Sequence, residues 1–106
     1  MTTETKSNYK FRGGLSIGIF GSTWPNGILE VSQASLVLRD ELMKKEYKLS
    51  KGDIIRIEVK KYFPIIGYGI RIYHNNKRYD KSMFFWYWSY RMDKLTNALK
   101  ELGWMA

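Results

Sequence analysis

One stretch near the end of the chain constrains the fold more than any other: residues 82–88, Ser-Met-Phe-Phe-Trp-Tyr-Trp, which lead directly into residues 89–104. Large apolar side chains occupy both sets of alternate positions, as is typical of a strand covered on both faces. The following residues predict an amphipathic helix from Ser89, as the N-cap, to Leu102, with Gly103 at the C-terminal cap. Its apolar positions are Met92, Leu95, Leu99 and Leu102. This strand and helix are therefore expected to close the core.

The rest of the chain has the pattern of short strands joined by turns. Strands are predicted at 14–20, 28–31, 35–39, 45–49, 54–61 and 68–74, and a seventh strand ends at Trp88. Residues 21–27 are predicted to form the first turn, because they contain Pro25 and two glycines. The apolar connection at 62–67 is expected to fold back over the core. The fifth strand should direct Ile55, Ile57 and Val59 inward and Arg56, Glu58 and Lys60 outward.

Two lengths are open for the turn between the sixth and seventh strands. A two-residue turn at Asn75 and Asn76 would set Arg71 opposite Asp80, a favourable cross-strand pair, and a four-residue turn is also compatible. Both registers keep the inward residues of the two strands on one face. These inward residues are Tyr68, Ile70, Ile72, Met83, Phe85 and Tyr87.

The length of 106 residues suits a single domain, which we expect over residues 9–106 after a disordered tail at 1–8. The absence of cysteine excludes disulfides and thiolate metal sites and fits a cytoplasmic protein. No apolar run approaches the ~20 residues of a membrane span, and the first residues lack the apolar core of a signal peptide. A soluble protein is therefore expected.

The sequence offers little material for catalysis. His74 is the only histidine, and no motif places a serine or a carboxylate to use it as a general base. One histidine without cysteine leaves only scattered carboxylates for a metal ion, and Gly13-Gly14 lacks a nucleotide-binding signature. The sequence therefore predicts a binding module that is not an enzyme, without cofactor, metal or small-molecule substrate.

Several segments together resemble a known family. They are Gly27-Ile-Leu-Glu-Val-x3-Ser-Leu-Val-Leu, Tyr47-x-Leu-x3-Asp-Ile-Ile, Gly69-Ile-x-Ile, and Met83-Phe-Phe-Trp ahead of the helix. Across about residues 14–104 the chain resembles GRAM-like and bacterial pleckstrin-homology-like domains. The resemblance implies a mainly β fold in which about seven antiparallel strands form two near-orthogonal sheets of a half-open barrel. The C-terminal helix would plug one end of that barrel.

The resemblance also implies where ligands would bind. Many pleckstrin-homology domains hold phosphoinositide headgroups with Lys and Arg residues in and beside the loop between their first two strands. Here that predicted loop, residues 21–27, contains no basic residue. The family places the third-to-fourth hairpin beside this loop, which implies that Trp24 lies near Lys44 and Lys45. An indole beside lysines suits an anionic membrane surface.

A net charge of +8 favours anionic partners. The basic residues cluster on the third-to-fourth hairpin, at the end of the fifth strand, and in the sixth-to-seventh turn with Lys77, Arg78 and Lys81. The candidate binding surface consists of Trp24, Arg39, Lys44, Lys45, Lys48, Lys60 and Lys61.

Three partner classes follow from these patterns. A protein partner or self-association ranks first, because one barrel and one helix must cover both faces of the seventh strand, including the face of Phe84, Trp86 and Trp88. Anionic lipid at the inner membrane surface ranks second. Nucleic acid ranks third, because the aromatics concentrate on one strand and no nucleic-acid motif is present.

Overall fold

The computed structural model describes residues 8–62 and 67–105. Within these residues it contains seven strands, two single 3₁₀ turns and one α-helix. The strands are β1 (Tyr9–Ile17), β2 (Phe20–Val31), β3 (Ser35–Asp40), β4 (Lys45–Ser50), β5 (Ile54–Tyr62), β6 (Gly67–His74) and β7 (Met83–Trp88). The 3₁₀ turns are Lys51–Asp53 and Ser89–Arg91, and the helix α1 is Met92–Glu101.

All seven strands belong to one antiparallel sheet in the order β4-β3-β2-β1-β7-β6-β5. The sheet curls into a half-barrel, with β1 in its middle, paired with β2 on one side and with β7 on the other. The strands β4 and β5 form its two ends. The predicted fold class, mainly β with a single C-terminal helix, is confirmed for the described residues.

The helix α1 closes the half-barrel with the apolar face that its spacing predicts. Met92, Leu95 and Leu99 are buried in the same core cluster as Met83 and Phe85, the fully buried inward residues of β7. The alternation of β7 therefore turns one aromatic face into the core. The other face lies outside the half-barrel, with Phe84 and Trp86 partly covered and Trp88 exposed.

The structure confirms the predicted C-terminal end of the helix but not its predicted N-terminal end. Gly103 ends it as expected, with φ at +84°, while Trp104 N–H donates to the Leu99 carbonyl over 2.7 Å. The predicted N-cap is wrong, because Ser89 lies inside a 3₁₀ turn and the helix begins at Met92 without a side-chain cap. The 3₁₀ turn uses the residues that would otherwise have formed the first α-helical turn.

Gly103→Ala is expected to lower the free energy of unfolding by about 1–2 kcal/mol, since an L-residue is strained at this positive φ. Chemical denaturation measures the change. Gly52→Ala is the matched control, because the nearest atom to its added Cβ is Ser50 Oγ at 3.9 Å and no positive φ is required there. Equal losses from the two substitutions would contradict the cap assignment.

The predicted boundaries of the first two strands are wrong. The turn lies at Gly18 and Ile19, where Gly18 has φ at +60°, and residues 21–27 belong to β2. The paired residues shift so that 23–26 stand opposite Gly14 alone, which makes a wide bulge that accommodates Pro25. Turn-like residues in this segment therefore build a bulge within a strand.

The predicted inward and outward orientation of the β5 side chains is only partly correct. Ile57 is buried, but Ile55 is 61% exposed and Val59 is 43% exposed, so two of the three predicted inward residues are wrong. A register shift between Ile54 and Arg56 places Ile55 in a bulge. The strand also lies at the end of the sheet, where an inward side chain is covered from one side only.

The connection between β6 and β7 is longer than either predicted turn. Arg71 pairs with Phe84 and not with Asp80, so residues 75–82 form the loop. The side chain of His74 organises it: Nδ1 accepts from the Asn76 backbone N–H at 3.1 Å, and Nε2 lies 2.8 Å from the Asp80 carbonyl. Both ring nitrogens are therefore used inside the loop. The predicted shared face is confirmed, since Ile70 pairs with Phe85.

Two predictions fall largely outside the described residues. The polar tail at 1–8 is described only at Asn8, and the apolar connection at 62–67 is not described at 63–66.

Candidate binding surface

The turn between β3 and β4 is held by a buried carboxylate. Asp40 accepts hydrogen bonds from the backbone N–H groups of Leu42 and Met43, at 3.1 and 3.0 Å. Lys44 then takes a positive φ of 57°, which returns the chain into β4. The turn presents its apolar side chains outward, and Leu42 is 65% exposed.

The turn between β1 and β2 presents a second exposed apolar residue. Ile19 is 94% exposed, so its side chain contributes almost nothing to the core. The next residue, Phe20, lies under the ammonium group of Lys45, whose Nζ is 3.8 Å from the ring centre. This cation–π contact joins the two turns, which sequence reasoning placed side by side only through a family resemblance.

The β6–β7 loop borders the same region. The Gly18 backbone N–H donates to the Ser82 carbonyl at 2.9 Å, so this loop lies against the β1–β2 turn. Its Tyr79 ring packs against Tyr47 of β4, with ring centres 5.3 Å apart. The loop also carries three exposed basic side chains, which are those of Lys77, Arg78 and Lys81.

We name this region the tip surface. Its apolar members are Ile19, Phe20, Leu42 and Met43, and its basic members are Lys44, Lys45, Lys77, Arg78 and Lys81.

Ion pairs neutralise the basic residues next to the tip surface but not its own lysines. Arg39 pairs with Glu30 on the neighbouring strand and lies 3.7 Å from Glu46, and Arg12 Nη1 contacts Glu41 Oε1 at 2.8 Å. The hydrogen bond from Arg12 holds the pKa of the Glu41 carboxyl below its ordinary value. Among the described residues, neither Lys44 nor Lys45 has a carboxylate within 4.0 Å.

The predicted binding residues divide between two places. Lys44, Lys45 and the internally paired Arg39 lie on the β3–β4 hairpin, where they border an open depression. Lys48 follows on β4, exposed. The structure therefore groups four of the seven predicted residues around one hairpin.

The other three predicted residues lie elsewhere. Trp24 is half-exposed and packs against Trp88, with ring centres 5.7 Å apart. Lys60 Nζ contacts Glu58 at 3.0 Å, and Lys61 lies over the ring of Tyr68. Both lysines are near the end of β5 that is remote from the β6–β7 loop. They do not join the tip surface.

The apolar members of the tip surface were missed in the sequence. Leu42 and Met43 stand between Asp-Glu and Lys-Lys in a predicted turn, where an apolar pair has no core to fill. The position of this apolar pair in a predicted turn could therefore have indicated an exposed apolar surface. For Ile19 and Phe20 no local signal existed, because Ile19 continued the alternation of Leu15 and Ile17 and both residues fell within the predicted first strand.

Other chemistries find little support in the described part of the chain. No group of three or more His, Asp or Glu residues there is arranged to hold a metal ion. His74 is buried with both nitrogens in loop hydrogen bonds, which leaves neither nitrogen directed at solvent. The absence of catalysis stays a prediction.

Comparison with known proteins adds no assignment. No family model matches the chain, and a search of curated proteins finds no significant match. No helix in the described residues combines the length and apolar character needed to cross a membrane.

Proposed function

We propose that this chain is a peripheral binding module for anionic phospholipid surfaces and that the tip surface is its contact. The observation that carries the proposal is the exposure of Ile19 and Leu42 on adjoining turns, immediately beside Lys44 and Lys45. Apolar side chains at a protrusion, next to lysines without carboxylate partners, match the layered chemistry of a bilayer: hydrocarbon below and anionic headgroups above.

The magnitudes support two cooperating contributions. Each lysine near an anionic surface adds about 1 kcal/mol, which by itself gives weak binding. Full transfer of an Ile or Leu side chain out of water contributes about 1.5–3 kcal/mol. Two lysines and two inserted side chains together reach about 5–8 kcal/mol, which is enough for reversible attachment.

A pleckstrin-homology-like ancestry is part of the same proposal. The strand order and the closing C-terminal helix support it, as do the segments that resemble the family. The β1–β2 turn, Gly18-Ile19, contains no basic residue. In this chain the neighbouring hairpin would supply the cation instead, because Lys45 reaches over Phe20.

A protein partner is the second candidate, although the sequence ranks it first. The outer face of β7 favours it, because Trp24 and Trp88 remain partly exposed there and Tyr90 follows them with its ring 6.3 Å from that of Trp88. Nucleic-acid binding stays a prediction. A steep fall of binding with salt on single-stranded nucleic acid would support it.

The lipid proposal is tested by sedimentation with vesicles. We expect binding to phosphatidylserine-containing vesicles at low salt, weaker binding at high salt, and little binding to pure phosphatidylcholine. Lys44→Glu with Lys45→Glu should reduce the partition coefficient roughly 30-fold or more, because it removes about 2 kcal/mol of attraction and adds repulsion.

The control makes the same charge change elsewhere. Lys94→Glu with Lys100→Glu alters two exposed residues of α1, whose last residue, Glu101, accepts from Tyr9 at the end of β1 remote from the tip surface. Binding should then fall much less. Absence of sedimentation with anionic vesicles at low salt would refute the proposal.

A further inference from the structure

The two terminal strands of the sheet differ in what covers their outer edges. On β4, the backbone N–H of Lys48 donates to the Tyr79 hydroxyl at 3.1 Å, so the β6–β7 loop blocks the middle of that edge. On β5, every paired residue faces β6, and no strand in the described residues lies on the other side. The edge of β5 is therefore available to an added strand.

The sequence of β5 is complementary to itself when read in the opposite direction. In an antiparallel pair of two copies centred on Ile57, Arg56 of one copy stands opposite Glu58 of the other. The bulge at Ile55 limits this regular register to the residues from Arg56 onward. The pairing occurs twice because a two-fold axis makes both halves identical.

The side chains of β5 are arranged for this register. Arg56 Nε contacts Glu58 Oε2 at 2.7 Å and Lys60 Nζ contacts Glu58 Oε1 at 3.0 Å, so these charges share one face of the strand. Hydrogen bonds from Arg56 and Lys60 lower the pKa of Glu58 to about 2, which keeps the carboxylate charged near neutral pH.

Shifting the centre by one residue removes the complementarity. Centred on Glu58, the pairing sets the two Glu58 carboxylates opposite each other and Arg56 opposite Lys60, so like charges meet on the charged face of the strand. Like charges directly opposite are destabilising in a sheet, whereas opposite charges stabilise it. The charges therefore favour the register centred on Ile57 over the register centred on Glu58.

We infer that two copies of this chain associate through β5, in an antiparallel pair with its two-fold axis at Ile57. The occupant of the edge is a second copy, because Arg56 and Glu58 of β5 match Glu58 and Arg56 of a second β5 that runs in the opposite direction. This inference is independent of the lipid proposal, since β5 contributes no residue to the tip surface.

Sedimentation equilibrium of the full chain tests it with charge reversals. The wild type should show a concentration-dependent dimer. Arg56→Glu and Glu58→Arg should each raise the dimer dissociation constant roughly tenfold, because each places two like-charge pairs at the interface. The variant that carries both substitutions should recover most of the loss, since the exchanged side chains again set opposite charges against each other. Lys94→Glu on α1 is the control and should leave the constant unchanged.

Hydrogen exchange supplies a readout that needs no variant. Backbone amides of β5 that are not bonded to β6 should exchange more slowly as wild-type concentration rises. A strict monomer at the highest concentration reached would overturn the inference, as would a dimer indifferent to both charge reversals. Single losses without recovery in the double variant would overturn the Ile57 register. Protection only by an added peptide of alternating Glu and Val would assign the edge to a different occupant.

Discussion

Ile19→Ser combined with Leu42→Ser is expected to reduce the partition of the protein onto anionic vesicles by about 100-fold or more. The two side chains are 94% and 65% exposed, so neither contributes much to the core. If both enter the acyl region, their replacement removes about 3–6 kcal/mol of transfer free energy. Vesicle sedimentation at fixed salt measures the change, and thermal unfolding should be almost unaltered, because exposed substitutions change stability by about 0.5 kcal/mol or less.

Tyr90→Ser is the matched control for this variant. Tyr90 is 76% exposed, but it follows the end of β7 remote from Met83, which pairs with Ile17 next to the β1–β2 turn. Its loss should leave vesicle binding nearly unchanged. Equal weakening by Tyr90→Ser would instead indicate that the outer face of β7 contacts the bilayer.

Salt separates the apolar contribution from the electrostatic one. The Ile19 and Leu42 double variant should bind weakly but keep the salt dependence of the wild type, because its lysines are unchanged. The Lys44 and Lys45 double variant should lose most of that dependence, since screening acts on charges and hardly on apolar burial. If both variants retain the same salt dependence, the lysines are not at the contact.

The fold could be predicted from the sequence where a helix or strand has one buried face and one exposed face. Leu95 and Leu99 recur at helical spacing, and Phe85 alternates with Phe84 along β7. The local pattern of apolar residues therefore indicated which side chains of α1 and β7 point into the core. The pairing of Ile70 with Phe85 followed from the same alternation even though the loop length was wrong. The sequence therefore predicted which faces pack together more accurately than it predicted the residue at which each turn begins.

The errors occurred where partners distant in sequence decide the outcome. The first strand was predicted to start at residue 14, but β1 begins at Tyr9 and contains Gly13, where a Cβ would overlap the backbone oxygen of Trp86. The exposure of Val59 depends on β5 being the last strand of the sheet. Neither condition can be read from a local window of residues.

The basic residues of the candidate site could be predicted from the sequence, but its apolar residues and their arrangement could not. The lysines of the β3–β4 hairpin stood out by composition, and the structure places Lys44 and Lys45 at its turn. The approach of Lys45 to Phe20 depends on the pairing of β1, β2, β3 and β4 in that order, which sets the β1–β2 and β3–β4 turns at the same edge of the sheet. The apolar half of the tip surface therefore emerged only from the tertiary structure.

Phe85→Ala is expected to lower the free energy of unfolding by about 3–5 kcal/mol, the range for deleting a fully buried aromatic side chain. Phe85 is completely buried, and its strand neighbours on the inner face are Leu15 and Ile70. Its ring also lies 5.9 Å from that of Tyr87. Because small domains are stable by about 5–15 kcal/mol, the variant should be partly or wholly unfolded at room temperature.

Phe84→Ala, one residue earlier, is the control, because it removes a ring from the outer face of β7 and not from the core. Phe84 lies on the outer face, partly exposed, and stacks on Trp86 with ring centres 5.6 Å apart. Deletion of this ring leaves an indentation that water can fill, so the loss should be less than half of that for Phe85→Ala. Urea denaturation of both variants gives the comparison. Equal losses would mean that the outer aromatics are as fully enclosed as the inner ones, and that a partner or a second copy covers them in solution.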